Sequence, residues 1–594
     1  MPLGPILLSA LFALKSTKNL GDVAKLINFR PSALSYIIYK APAGAKYTAF
    51  EIPKRSGGTR KIFAPTVRLK LVQRRLAALL QDCAQEISDA NDWKDSIAHG
   101  FKRGRSIVTN ASCHRRRRFV FNIDIENFFG AINFGRVRNY FIKNWYFSLH
   151  PDVATVLAQI ACHEDALPQG SPCSPVISNL IGSILDAHMV RLAARTGCRY
   201  TRYADDLSFS TNLRTFPPSV AFLAPGSPHK WMPGEELSAV VDLCRFKLNP
   251  AKTRMQYRDS RQEVTGLVVN KKVNVRAEYR HTVRAMVDRL VRTGKYMHRG
   301  PVPGPSGTIA AGMVDGSRDT LKGMLGFIDS VDRYNEPSGP ENNRKRDSKR
   351  LPSKERSYRR FLLFTEFYAA SRPLIVCEGK TDYVYLLHAV RSLATAYPKL
   401  ATIDPPGRVR LVPRLFRYRK TGAGRVLGLG GGAGGLRNLI VHYREESDRF
   451  TAPGLQHPAI VLMDNDDGAK EVLSLARQIT GSTATGLEQF IFLFKNMYLV
   501  LTPKVASADK SCIEDAFTPA TRASIVNGKS FSLESKMDTS KYYGKSVFAR
   551  EVVAANADKI DFAGFQPLLD RLVMVLDVHG AKISGSAGSA TSVV

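Results

Sequence analysis

Two adjacent carboxylates, Asp205 and Asp206 in the stretch RYADDLSFS, constrain this chain more than any other feature. Their flanks read as the two arms of a β-hairpin, which sets the acidic pair beside a tight turn. A third carboxylate, Asp124, closes the apolar run FVFNID and precedes a turn into IENFFGAINF. Carboxylates at the ends of neighbouring strands repel one another when ionised, so bringing them together calls for a divalent cation. Two such cations roughly 4 Å apart can activate a 3′-hydroxyl and stabilise a leaving pyrophosphate. An isolated Asp pair is more often a solvated turn. Here the neighbouring segments decide.

The 594 residues are too many for one ordinary core, so two or three domains are expected. A formal charge of +34 exceeds what solubility needs and points to a polyanionic partner, nucleic acid first. Hydrophobic content of 44% with three Trp fits a soluble globular chain rather than a disordered or membrane one. The eight cysteines lack any C-x-x-C pair, which excludes a zinc ribbon and a disulfide framework and implies free thiols in a reducing cytoplasm. The opening MPLGPILLSALFALK has no basic residue before its apolar run and is too short to span a bilayer. It is predicted to be a buried helix, and no membrane partner is expected.

Around the acidic cluster, residues 47–270 resemble reverse transcriptases, whose palm carries a Tyr-x-Asp-Asp hairpin. IPKRSGGTRKI is similar to the family's fingers strand, LPQGSPCSPVISNLI to its nucleotide-pocket block and FKLNPAKT to its later lysine motif. The resemblance implies Mg²⁺ held by Asp124, Asp205 and Asp206 as catalytic ligands. It places Lys54, Arg60 and Lys252 near the triphosphate, Phe129 as the gate against a ribose 2′-hydroxyl, and Gln169 and Gly170 at the pocket border. Two further segments, NASCH at 110–114 and VTG at 264–266, resemble signatures of retron reverse transcriptases. That family copies part of its own noncoding RNA from an internal guanosine 2′-hydroxyl into branched multicopy single-stranded DNA. The resemblance implies RNA contacts by Asn110, His114, Val264, Thr265 and Gly266. The basic run HRRRR at 114–118 is read equally as a solvated face or as a contact to RNA phosphates.

A second acidic set follows residue 370. PLIVCEGKTD, a glycine-rich LGLGGGAGGLRNLI and AIVLMDNDDGAK set a Glu after one buried strand and an Asp-x-Asp after another. This pattern resembles the TOPRIM fold over residues 373–580. The resemblance implies Mg²⁺ or Mn²⁺ and phosphodiester chemistry at Glu378, Asp464 and Asp466, with Asp382 and Asp467 as auxiliary ligands. Later segments, SCIEDAF and YYGKSVFAREVV, resemble TOPRIM nucleases in which an acidic residue and a lysine complete the site; Glu514, Asp515 and Lys545 stand there. The glycines at 428–435 are predicted to form a tight strand-to-helix turn rather than a phosphate loop, because their spacing matches no P-loop. No zinc module or strand-passage domain supports a primase or topoisomerase.

The expected architecture is mixed α/β and α+β. It runs from fingers and palm (1–255) through a thumb (256–335) and a charged linker (336–371) to a TOPRIM domain with a mostly parallel sheet (372–580) and a disordered tail (581–594). Together the resemblances imply a bacterial, cytoplasmic retron polymerase fused to a nuclease that acts in anti-phage defence by growth arrest. Its partners would be the cognate noncoding RNA, its DNA product, dNTPs and a nucleic-acid substrate of the second domain; homo-oligomerisation is left open. The rival readings are a silent nucleic-acid-binding second domain, or a mobile-element polymerase with no defence role.

Overall fold

The computed structural model describes residues 9–53, 58–91, 97–227, 229–303, 309–336, 353–418, 421–504, 509–534 and 537–589. The chain divides into two compact units. The first holds Met1–Arg280 with Pro301–Gly312 and Ser330–Glu336; the second holds His281–Gly300, Met313–Asp329 and Pro337–Val594. The segment expected to form a thumb, 256–335, is therefore divided between the two units rather than standing as one body.

In the first unit, β1 (Tyr47–Pro53) and β2 (Thr59–Pro65) form an antiparallel hairpin. The helix Val67–Ala90 follows and buries Leu69, Val72, Leu76, Leu80, Cys83 and Ile87, the three-and-four spacing that marks one helical face. The central sheet is built from β3 (Phe119–Ile125), β4 (Arg199–Tyr203), β5 (Asp206–Thr211) and β6 (Leu248–Tyr257), in the order β4-β5-β3-β6. Every neighbour is antiparallel. In this register Asp124 lies directly opposite Asp206, and Tyr203 opposite Asp206 closes the hairpin. The helix Ser174–Arg195 packs behind the sheet through Val176, Ile177, Ile181, Leu185, Met189 and Leu192. Among the described residues it is the one helix long and apolar enough to cross a membrane, and its burial explains that composition here as core packing.

In the second unit, β7 (Leu374–Cys377), β8 (Arg414–Leu415), β9 (Ala459–Met463), β10 (Ile491–Phe494) and β11 (Met497–Leu501) form a sheet ordered β8-β7-β9-β11-β10. All pairs are parallel except the β10 edge. The run QFIFLF supplies that antiparallel edge, while the fully buried MYLVL of β11 is a central strand.

Three expectations change. The segment 336–371 is helical over Ser353–Leu362 and continues in a wider turn over Leu363–Tyr368. Phe361, Leu362, Leu363, Phe364 and Phe367 are buried there, so this half belongs to a core, while 337–352 lies outside the described residues. The tail is helical as far as Ser589, because Gln566–Ser589 is one helix whose apolar face packs on the second core. The glycine-rich stretch joins two helices, Gly422–Leu427 and Ala433–Ser447, rather than a strand and a helix. Gly428, Gly431 and Gly432 take φ values of 76°, 99° and 79°, the left-handed conformations that favour glycine. The N-terminal helix spans Ala10–Lys15 with Leu14 buried. All eight cysteines are free thiols.

Candidate active sites

The hairpin turn between β4 and β5 carries Ala204 at φ 56° and presents Asp205 and Asp206 beside Asp124. The Ile125 N–H donates to the Asp205 carbonyl at 2.9 Å, locking the turn onto β3. Lys252 Nζ lies 2.9 Å from Asp124 Oδ2, and Asn249 Nδ2 donates to Asp124 Oδ1 at 3.4 Å. Burial, then the neighbouring Asp124, raises the Asp205 carboxyl; burial, then Asp205 and Asp124, pushes Asp206 up to about 6. Burial, the largest single effect, lowers Lys252, but its hydrogen bond to Asp124 and the negative charges of Asp124, Asp205 and Asp206 together raise it.

These groups open into a cavity of about 1250 Å³, also lined by Arg60, Phe129 and Gln169. Phe129 is half-buried, its ring 6.2 Å from that of Phe101. The Phe63 N–H donates to the Gln169 carbonyl at 2.8 Å, docking the fingers hairpin on this block. Gly170 has φ 121°, and a Cβ there would lie 2.6 Å from the Phe63 carbonyl oxygen, so only glycine fits. The segment containing Lys54 lies outside the described residues.

A buttress under the turn escaped the sequence reading. Arg202, fully buried, donates from Nε to Asp186 Oδ1 at 2.8 Å and from Nη2 to Asp186 Oδ2 at 2.7 Å. Its Nη1 donates to Asn179 Oδ1 at 3.1 Å and to the Ala204 carbonyl at 3.2 Å. A Cβ on Gly182 would come within 2.9 Å of the guanidinium, and one on Gly100 within 2.6 Å of the Ala204 nitrogen. The available signal was an Asp inside the apolar helix run SNLIGSILDAHMV.

Asn110 and His114, expected to meet RNA, are fully buried and have no surface to offer it. His114 bridges Ser210 Oγ through Nδ1 and Thr201 Oγ1 through Nε2, each at 2.7 Å, and Thr201 donates to Asn110 Oδ1 at 2.6 Å. Burial, then Arg199 and Arg117, lowers His114 to about 3, so the ring is neutral. Val264 is also buried, opposite Leu267, and only Thr265 and Gly266 reach the surface in a two-residue turn at φ 47° and 79°.

The second acidic set forms where β7 and β9 end side by side, the carboxyl edge at which open parallel sheets place ligands. Glu378 and Asp464 directly follow those strands, and the Asp464 N–H donates to Glu378 Oε2 at 3.3 Å. Asp382 accepts from the Gly379 N–H at 2.6 Å. Lys545 Nζ lies 3.0 Å from Glu514 Oε2 and 3.9 Å from Asp464 Oδ2, and the Ile513 N–H donates to Asp464 Oδ1 at 2.8 Å. Burial, then Asp382, pushes Asp464 up to about 8, and burial also raises Glu378 and Asp382. Asp466 is exposed, accepts from the Gly468 N–H at 2.9 Å and faces Glu378 across Gly468. Two expected members stand apart. Asp467 is exposed and held by Lys470 and Lys510, and Asp515 pairs with Arg522 at 2.9 Å.

Among the described residues, no group of three or more His, Cys, Asp or Glu is gathered into a ready-made metal cage. The donor chemistry of both centres nevertheless suits a hard cation. In the first, the neighbouring Asp205 and Asp124 add to burial in raising Asp206, and a lysine ammonium already sits on Asp124. In the second, Glu514 Oε1 is buried with no hydrogen-bond partner.

An antiparallel sheet with opposed carboxylates and a fingers hairpin over one cavity defines a polymerase palm of the reverse-transcriptase class. The family described as reverse transcriptase (RNA-dependent DNA polymerase) matches residues 52–269. Retron Mx65 reverse transcriptase of Myxococcus xanthus is 36% identical over 265 residues, 42% of this chain and 56% of that protein. Retron Mx162 reverse transcriptase of the same organism is 31% identical over 337 residues, 52% and 63% respectively. Retron Ec86 reverse transcriptase of Escherichia coli is 30% identical over 276 residues, 46% of this chain and 78% of that one. The chain belongs to the retron reverse transcriptase family, and it spans under two thirds of the two Myxococcus relatives' length. A solved telomerase from Candida albicans aligns at a TM-score of 0.26 with 9% identity over 53% of this chain and 63% of that one, a likeness that carries no argument.

Proposed function

We propose that this chain is an RNA-directed DNA polymerase that copies a cognate retron noncoding RNA, primed from a guanosine 2′-hydroxyl, into branched single-stranded DNA. The observation that carries this reading is the in-register opposition of Asp124 and Asp206 beside Asp205, inside a cavity also lined by Arg60, Phe129, Gln169 and Lys252. Asp124, Asp205 and Asp206 would hold Mg²⁺, which when bound activates the attacking hydroxyl and neutralises the leaving pyrophosphate. Arg60 and Lys252 bring positive charge to the triphosphate of the incoming dNTP. The Phe129 ring fills the space a ribose 2′-hydroxyl would need, and the Gln169–Gly170 backbone borders the base. Lys252 must leave Asp124 as the cation and triphosphate enter, so it serves as the counter-charge of the resting site. Replacing Asp205 and Asp206 by Ala should abolish DNA synthesis on the RNA, and branched DNA accumulating in that variant would refute the assignment.

A second activity is favoured by a separate observation: Glu378 and Asp464 at adjacent parallel strand ends, with Lys545 between Asp464 and Glu514 and a partnerless Glu514 Oε1. We read this as a TOPRIM nuclease centre that would take Mg²⁺ or Mn²⁺ and cut phosphodiesters. It would serve a cytoplasmic bacterial defence in which the RNA–DNA product restrains it until infection. Glu378→Ala should spare DNA synthesis and remove protection against phage. Undiminished protection would favour a silent nucleic-acid-binding module or a mobile-element polymerase instead.

A further inference from the structure

The segments 110–114 and 264–266 are the two ends of one internal brace. At one end, Thr265 Oγ1 donates to the Ile107 carbonyl at 3.2 Å, on the first residue of the helix Ile107–Ser112. Nearby, the Arg116 N–H donates to the Val269 carbonyl at 3.2 Å and Gln262 Nε2 to the Arg117 carbonyl at 3.0 Å. The turn at 265–266 is thus stitched to the whole stretch 107–117. At the other end, Asn110 and His114 hold Thr201 on β4 and Ser210 on β5, one residue on each arm of the hairpin that carries Asp205 and Asp206.

The direction of these hydrogen bonds is fixed by chemistry. Asn110 Oδ1 can only accept, so the Thr201 hydroxyl donates to it. The Thr201 oxygen is then left to accept from His114 Nε2–H, and His114 Nδ1 to accept from the Ser210 hydroxyl. Ser210, His114, Thr201 and Asn110 form a single relay of donors, all four buried. Breaking any link of this chain strands a buried polar group, which ties the two arms to each other; the chain ends at Asn110, whose Nδ2 is buried without a partner among the described residues.

We propose that Asn110 and His114 are positioning residues that fix the carboxylate hairpin relative to the exposed turn at Thr265 and Gly266. This rests on the polymerase reading above. The brace changes the rate of the chemical step while leaving RNA affinity alone, whereas a direct RNA contact would do the reverse.

The test uses the full chain with poly(rA) annealed to oligo(dT), dTTP and Mg²⁺, reading kcat, the KM for dTTP and the Kd for the template–primer. His114→Ala removes both contacts. A misplacement of the hairpin on the ångström scale should lower kcat about ten- to a hundredfold, with KM and Kd within about twofold of wild type. His114→Gln keeps a donor toward Thr201 and should recover part of that loss. Should His114→Ala not fold, Ser210→Ala tests the same link with no change in ring packing, and kcat should again fall while Kd holds. Wild-type kcat in both His114→Gln and Ser210→Ala would overturn the inference, as would a loss confined to Kd. A wild-type chain that makes no DNA on this probe overturns the polymerase reading instead, and is told apart by that.

Discussion

Replacing Asp186 by Ala strands the Arg202 guanidinium in the palm. Arg202 has no exposed side-chain surface and Asp186 only 11%, so solvent cannot take over the lost carboxylate. Two charge-assisted bonds, at 2.8 and 2.7 Å, disappear, and the buried Tyr200 hydroxyl loses its 2.9 Å acceptor. Removing one partner of a buried ion pair costs about 3–5 kcal/mol, a large share of the 5–15 kcal/mol that holds a typical domain together. Since the chain has two units, a single unfolding midpoint would blur the effect. Hydrogen exchange at β4 and β5 amides under increasing urea reports the palm separately. Exchange there should become faster by about two to three and a half orders of magnitude, the rate equivalent of 3–5 kcal/mol. Changing both residues, Arg202→Leu with Asp186→Leu, removes the orphaned charge and should restore most of the protection. DNA synthesis should stay low in that double variant, because the Ala204 carbonyl has lost the Arg202 donor that braces the turn. A loss below about 1 kcal/mol in the single variant would refute this reasoning. So would wild-type synthesis in the double one.

Gly100→Ala puts a methyl 2.6 Å from the Ala204 nitrogen, so the acidic turn must shift; synthesis should fall about tenfold or more while RNA binding is kept. His114 is neutral when folded, at about 3, but takes a proton near 6.5 when unfolded. The unfolded chain therefore binds more protons below pH 6.5, and the palm loses stability as pH falls from there toward 3, by up to about 1.4 kcal/mol per pH unit. His114→Gln should lack that slope in pH-dependent urea unfolding. Asp464 has the opposite sign: raised to about 8, it keeps a proton that the unfolded chain releases near 4. In metal-free buffer its stability contribution is present below pH 4 and lost as pH rises to 8, so Asp464→Asn should gain on wild type across that window, measured the same way.

Both acidic centres were legible because their carboxylates follow strongly apolar strands, FVFNID, LIVCE and AIVLMD, whose ends the sheets bring together. The hairpin at Asp205 and Asp206 was legible for the same reason. Which polar residues turn inward was not. In β4, Tyr200, Thr201 and Arg202 are all buried, so the alternation that tells one face of a strand from the other is missing. Asn110 and His114, expected from the retron resemblance to contact RNA, close against that covered strand. The TOPRIM resemblance implied Asp467 as an auxiliary ligand, yet the exposed carboxylate pairs with Lys470 and Lys510. The segment after residue 353 read as linker because Arg and Lys crowd it, while Tyr358 and Phe361–Phe364 are buried there and Arg359 is buried with them.

The central claim is that one chain carries two acidic centres with separate chemistry. Its most direct test follows DNA synthesis and nucleic-acid cleavage side by side in wild type, Asp206→Asn and Asp464→Asn, with Mg²⁺ and a structured RNA template. The expected result is a clean crossing: Asp206→Asn stops synthesis and Asp464→Asn stops cleavage, each sparing the other. Loss of both activities in either variant, or of neither in both, would contradict it.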